Sequence, residues 1–114
     1  MSAETLQLMP AGSFTLRRAI KFRIDGKVHS GELVIGDLRK VRTKGKANAF
    51  ACSWVLSRTD PKPRDIYGED ALSALLNCLS FLSLYIQNQA KAGVEIWWLE
   101  RGDNAGLKLI MTKV

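Results

Sequence analysis

The residues of this chain that are capable of catalysis or metal binding are few and scattered. His29 is the only histidine, and Cys52 and Cys78 are the only cysteines, with no CxxC pair or Cys/His cluster. Motifs such as GxSxG, HExxH, GxGxxG and the Walker loop, which place nucleophiles, metal ligands or phosphate-binding amides at fixed spacing, are absent. The sequence therefore predicts a protein that is not an enzyme, with no catalytic residue, no metal site and no cofactor.

The remaining chemically suggestive residues each have a structural explanation. Cys52 and Cys78 lie inside apolar runs, where a thiol packs as a small hydrophobe, so we expect buried free thiols. A disulfide between them stays an alternative, because sequence spacing does not give the distance between their Cα atoms. Glu69 and Asp70 stand where a helix N-terminus favours negative charge. Arg101-Gly102-Asp103 spells an adhesion tripeptide, but the two glycines of RGDNAG predict a turn.

Basic side chains are concentrated in the first half of the chain. Residues 17 to 46 contain ten Lys or Arg and three Asp or Glu, whereas residues 47 to 114 contain seven of each, so the net charge of +6 resides in the first segment. Such a surface can bind an acidic protein or the phosphates of a nucleic acid, or simply stay solvated. The candidate contacts for a partner are Arg17, Lys21, Arg23, Arg39, Lys40, Arg42, Lys44 and Lys46.

Trp97 and Trp98 form the second candidate for partner binding. Adjacent residues of a strand point to opposite faces of a sheet. One ring is therefore predicted in the core, and the other is exposed, covered by a loop or in an interface. Which ring lies outside depends on the register of the strand, so both stay candidates.

A strand with one buried face precedes the basic segment. Hydrophobic side chains alternate from Phe14 to Ile24, and Arg18 interrupts them, so Arg18 must lie near a strand end or bulge or reach a partner across the face. Asp25-Gly26 predicts a tight hairpin turn. A second strand then runs to about Ile35, with Gly31 as a bulge.

The middle of the chain predicts a third strand between two connections. Segment 36–48 is predicted as a long hairpin or an exposed loop, and residues 50–57 alternate as a strand. Segment 57–68, SRTDPKPRDIYG, is predicted as a loop because its prolines lack backbone donors.

A helix of about 24 residues is predicted from Gly68 to Lys91, with Gly93 in its C-terminal cap. Strands at 94–100 and 107–114 follow it. We therefore predict the α+β class: an antiparallel five-stranded sheet, order β-β-β-α-β-β, with one long helix packed on one face.

The helix contains a run without charge, residues 71–90. A polar stripe that includes Asn77 and Gln87 argues against a membrane span. Helical spacing assigns one face to the sheet: Leu72, Leu75, Leu76, Leu79, Leu82, Ile86 and Ala90. It leaves a second apolar edge, which either loops cover or a second subunit or foreign protein contacts: Ala74, Cys78, Phe81 and Tyr85.

The chain is long enough for one domain with one core. We expect residues 1–12 to form a flexible N-terminal tail and residues 13–114 to form a single α+β domain. The start of the sequence lacks the pattern of a secretory signal, which predicts a cytoplasmic protein.

The segment IYGEDALSALLNCLSFLSLYI, followed by a strand with WWL, resembles a family of small uncharacterised bacterial proteins whose helix opens with a Tyr-Gly-x-Asp-Ala-Leu-x-Ala-Leu motif. Tyr67, Gly68, Asp70 and Ala71 carry the resemblance, which covers chiefly residues 64–106. It implies a helix over a curled antiparallel sheet. By analogy of size and class, it also implies an immunity-like or accessory protein that binds a partner such as a toxin.

Together these observations predict a non-enzymatic bacterial protein-binding module that self-associates as a homodimer. The alternative is a nucleic-acid-binding protein that uses the basic surface of residues 17–46.

Overall fold

The computed structural model describes residues 15–43 and 46–107. Its elements follow in the order β1 (Thr15–Ile24), β2 (Lys27–Thr43), β3 (Lys46–Leu56), β4 (Asp60–Gly68), α1 (Ala71–Lys91) and β5 (Glu95–Trp97), then a short 3-10 turn (Asn104–Gly106). The strands form one five-stranded antiparallel sheet in the spatial order β4-β3-β2-β1-β5. The α+β class, the five strands and the single long helix are thus confirmed.

The alternation of β1 gives the sheet an inner and an outer face. Ile20 and Phe22 are buried in the core together with Trp54 of β3 and Leu82 of α1, so this inner face lies under the helix. Arg17, Lys21 and Arg23 alternate with them and therefore lie on the opposite, outer face. No helix packs on the outer face within the described residues, which leaves its side chains available.

Two predicted connections are strands instead. β2 continues through segment 36–43, so the long hairpin, not the exposed loop, is the correct alternative. Residues 60–68 form β4 in place of the predicted loop, and the chain order of the described elements becomes β-β-β-β-α-β. Pro61 and Pro63 are tolerated because β4 is an edge strand, where a missing N–H costs no ladder hydrogen bond on the open side.

The predicted bulge at Gly31 is wrong, since Gly31 pairs regularly with Ile20. This position requires glycine because a Cβ there would collide with the ring of Phe22. The pairing of β2 with β3 is irregular instead between Gly36 and Arg39, where Asp37 adopts a left-handed φ of 56°, and again between Val41 and Thr43.

The Asp25-Gly26 turn is confirmed, with φ of 52° and 78°. The predicted tail, residues 1–12, lies outside the described residues, as does the predicted strand 107–114 apart from Leu107.

The helix is rotated relative to the predicted face. Ala74, Cys78, Leu82 and Ile86 are buried against the sheet, whereas Leu72 and Leu76, which spacing assigned to the sheet, are exposed. Small side chains at 74 and 78 allow the helix axis to lie close to β3 and β4, so the larger leucines are displaced to the side. By length and composition alone α1 is apolar enough to cross a membrane, yet this side of it packs into the core.

The start of α1 is fixed by the residues that connect it to β4. Asp70 is the N-cap, and its Oδ1 accepts a hydrogen bond of 2.7 Å from the backbone N–H of Ser73. Gly68 lies so close to the first turn that a Cβ would collide with the backbone of Ala74. Asn77 Nδ2 donates to the carbonyl of Tyr67 at 2.9 Å. These contacts give physical roles to the glycine and aspartate of the Tyr-Gly-x-Asp motif.

Candidate functional site

The pairing of β1 with β5 brings three of the predicted contact residues together on the outer face. Lys21 stands directly opposite Trp97, and Arg23 stands opposite Glu95. Trp97 is half-buried, while Lys21 is exposed and donates to Ser30 Oγ at 3.0 Å. An indole between cationic side chains offers a flat apolar surface beside positive charge, which suits a partner that carries carboxylates or phosphates.

Arg101 completes this group, although the sequence assigned it only to a turn. Its guanidinium carbon lies 5.8 Å from the ring centroid of Trp97, and its Nη2 and Nε contact Glu95 Oε1 at 2.6 and 2.7 Å. We call Lys21, Arg23, Glu95, Trp97 and Arg101 the β5 cluster. It holds three cations and one carboxylate, and no motif in the sequence could have found Arg101 because its position depends on how the loop after β5 folds.

An open cleft of about 540 Å³ adjoins the β5 cluster between the C-terminal end of α1 and the loop after β5. Glu95 and Arg101 line it together with Lys91 and Ile96. The cleft extends the cationic character of this edge of the sheet, since Lys91 is exposed at the end of the helix.

Trp98 points to the inner side, opposite to Trp97, but the prediction that one of the two rings lies in the core is wrong. Trp97 is half-buried and Trp98 is exposed, because β5 is a short edge strand that ends at Trp97. The guanidinium of Arg18 stacks over it at 3.6 Å, and Arg18 Nη1 donates to the carbonyl of Ala105 at 3.0 Å. Arg18 thus reaches a partner across the face, one of the alternatives that the sequence left open. Trp98 is 38% exposed, but its ring is engaged within the chain.

The other basic residues are dispersed. Arg17 makes an ion pair with Glu32 at 2.9 Å. Lys40 and Arg42 are exposed in the far half of β2, and Lys40 pairs with Phe50, a residue packed against the core. Lys44 lies outside the described residues, and Lys46 is described only as the first residue of β3. The basic segment therefore does not form one continuous patch.

Arg39 is held in a network of carboxylates. It contacts Asp37 Oδ2 and Asp65 Oδ2, both at 2.8 Å, and donates to Ser53 Oγ at 3.1 Å. Ser53 Oγ in turn donates to Asp65 Oδ1 at 2.6 Å. The network ties β2, β3 and β4 together, and among the described residues the side chains that hydrogen-bond to Ser53 Oγ are Arg39 and Asp65.

Of the predicted self-association edge, only the aromatic half is accessible. Ala74 and Cys78 are fully buried. Phe81 and Tyr85 flank the helix and contact Trp54, with ring centroids 5.8 and 5.1 Å away. Of the four residues of the predicted edge, Phe81 is exposed, Tyr85 is half-buried, and the other two are inaccessible.

Both cysteines are buried free thiols, as the sequence predicts. Interaction with the Cys78 thiol lowers the pKa of Cys52, and the same interaction, together with burial, raises the pKa of Cys78 above its usual range. Within residues 15–43 and 46–107 no three His, Cys, Asp or Glu side chains converge as metal ligands would.

No protein-family model matches the chain, and comparison with curated proteins and with solved structures finds no match either.

Proposed function

We propose that this protein is a non-enzymatic binding module that captures an acidic segment of a protein partner on the β5 cluster. The observation that carries the proposal is the register of β1 and β5, which sets Lys21 against Trp97 and Arg23 against Glu95. A cationic rim around a half-buried tryptophan has the composition of an interface centre, since tryptophan and arginine are the residues most enriched there.

The pattern of charges favours a protein partner over a nucleic acid. Arg17, Arg39 and Arg101 are already paired with carboxylates of the same chain. Phosphate-binding surfaces instead present unpaired cations along a track, because affinity comes from the release of counterions. A surface on which positive and negative charges alternate suits a protein partner, because a protein surface also carries charges of both signs that can match it.

The alternative function is binding of single-stranded nucleic acid. One observation favours it: Trp97 can stack on a base while Lys21 and Arg23 contact phosphates. A single aromatic ring with two flanking cations makes a short site, so binding would be weak and strongly dependent on salt.

By analogy with the resembling bacterial family, the partner would be a toxin or another protein that the module occludes, and the setting would be the cytoplasm. This assignment rests on size, composition and the absence of a catalytic motif in the sequence.

The proposal is tested with two labelled probes, an acidic peptide and a single-stranded oligonucleotide, titrated at low and moderate salt. We expect the peptide to bind and the oligonucleotide to bind more weakly. Lys21→Glu and Arg23→Glu should weaken peptide binding, whereas Lys62→Glu on the opposite edge strand should not.

Two outcomes decide against the proposal. If the oligonucleotide binds more tightly and its affinity falls steeply between about 50 mM and about 200 mM salt, the nucleic-acid alternative is correct. If neither probe binds at low salt, or if the three variants behave alike, the β5 cluster is not a binding site for an acidic ligand.

A further inference from the structure

Between its ends, the outward face of α1 carries exposed leucines beside uncharged polar residues such as Ser73, Asn77 and Ser80. Four residues of this helix are exposed although they are strongly hydrophobic: Leu72 (63%), Leu76 (48%), Phe81 (42%) and Leu84 (49%). Only 28% of the most apolar 18-residue stretch of the helix is buried. At 100° per residue Leu76 and Leu84 lie on the outward face, whereas Leu72 and Phe81 lie on its two opposite flanks, so the four side chains do not form one continuous apolar patch.

The chemistry of this face restricts its occupant. The chain has a net charge of +6, and no carboxylate, amine or guanidinium side chain lies between Asp70 and Lys91. Two copies of such a protein repel each other over most of their surfaces. On the outward face of α1 they meet no like charges, so this is where a second copy can approach.

The two ends of the face carry opposite charges that match in one orientation. Glu69 is exposed just before the N-cap, and Lys91 is exposed in the last turn. Neither makes an ion pair with another described residue. When a second helix lies antiparallel, Lys91 of each copy faces Glu69 of the other. The oppositely charged ends of the two helix dipoles also lie next to each other.

The middle of the face permits close approach. Ser73 and Ser80 project between Leu76 and Leu84 at helical spacing, and Ser80 lies next to the midpoint of the 21-residue helix. Small residues flanked by leucines form the groove into which side chains of a second helix pack. A twofold axis near Ser80 would pair the same groove on both copies, as closed dimers require.

We propose that two copies of this chain form a dimer through the outward face of α1, with the helices antiparallel and Glu69 of each copy paired with Lys91 of the other. The face is small beside the ~800 Å² per partner of a standard interface, so the dimer is weak and dissociates in the micromolar range or above. The proposal does not depend on the β5 cluster, which lies at the edge of the sheet and stays accessible in this dimer.

Charge exchange tests the pairing and its orientation. Molecular mass in solution is measured against concentration at low salt, by sedimentation or light scattering. Glu69→Lys and Lys91→Glu each turn two attractions into repulsions and should weaken the dimer ~3- to 10-fold. The double variant Glu69→Lys with Lys91→Glu should restore it. Failure of the double variant to recover dimerisation overturns the antiparallel arrangement.

An apolar variant and its matched control test the face itself. Leu84→Glu should give a monomer, whereas Leu99→Glu, which changes a still more exposed leucine outside the helix (72% against 49%), should dimerise like the parent protein. A parent chain that is monomeric up to near-millimolar concentration overturns the proposal. If Leu84→Glu then lowers thermal stability while Leu99→Glu does not, the face is covered by a segment of the same chain.

Discussion

Asn104 holds the turn after β5 against the helix through Ser83. Its Nδ2 donates to Ser83 Oγ at 2.8 Å and to the Ser83 carbonyl at 3.2 Å, and both residues are buried. Ser83 Oγ itself lies 3.4 Å from the carbonyl of Leu107. The turn that positions Arg101 is therefore anchored by a small polar contact inside an otherwise apolar core.

We expect Asn104→Ala to destabilise the fold by about 2 to 3 kcal/mol, because it removes two hydrogen bonds to Ser83 in the interior and leaves Ser83 Oγ with only the long contact to the Leu107 carbonyl. Asn104 has a φ of 55°, where asparagine is tolerated and alanine is strained. Asn104→Gly removes the strain but not the lost hydrogen bonds, so it should recover only part of the loss in urea unfolding. Full recovery with glycine would show that the backbone, not the amide, is what matters.

Gly68→Ala should destabilise the protein by about 2 to 3 kcal/mol, because the added methyl meets the backbone of Ala74, which cannot move without shifting the helix. Chemical denaturation measures the change. Lys62→Ala, an exposed position on the same strand, is the control and should lie within about 0.5 kcal/mol of the parent. An equally stable Gly68→Ala protein would mean that β4 and α1 meet differently.

Asp70→Ala should lower the melting temperature at pH 7 by removing the N-cap. Hydrogen bonds from Ser73 lower the pKa of Asp70 below its ordinary value of 3.8. A lowered folded-state pKa means that the carboxylate stabilises the fold above the unfolded pKa, and that this contribution is lost as pH falls through the folded pKa. The gap between parent and variant should therefore be constant from neutral pH to about pH 5 and then narrow below pH 4. Asp70→Asn should keep most of the stability at pH 7.

Asp103 should show the same pH dependence. Partial burial acts to raise its pKa, but backbone N–H groups of Trp98, Glu100, Leu99 and Ala105 lower it overall. Three of these bonds measure 2.7 to 3.0 Å. Asp103→Ala should loosen the loop that carries Arg101, and hydrogen exchange at residues 98–100 should rise most at neutral pH. Exchange that stays slow in the variant would contradict this role.

Neither cysteine should react with a thiol reagent in the native protein, because both side chains are fully buried. Two thiols per chain should become reactive in denaturant. Fast labelling under native conditions would indicate that α1 separates readily from β3, since Cys78 and Cys52 lie on these two elements.

The sequence was sufficient to predict β1, its hairpin turn and the helix, because these depend on local alternation, on a glycine turn and on a capping residue. It could not predict which side of α1 is buried. Apolar residues occupy more than half of the helix, so periodicity alone does not choose between Leu76 and Cys78. Which side is buried depends on how closely the helix approaches the sheet. At the closest point only small residues fit, so Ala74 and Cys78 are buried there.

The β5 cluster was only partly predictable for a similar reason. Its basic residues are visible in the sequence, but the pairing of Lys21 with Trp97 requires the register of two strands that are seventy residues apart in the chain. The prolines of β4 are typical of a loop, and the sequence does not reveal that this segment is an edge strand, where prolines are tolerated.

The two prolines of β4 also limit how this protein can assemble. Pro61 and Pro63 have no N–H to donate to a further strand, so the β4 edge is a poor template for the addition of strands from other molecules. The same two prolines therefore oppose fibril growth through that edge of the sheet.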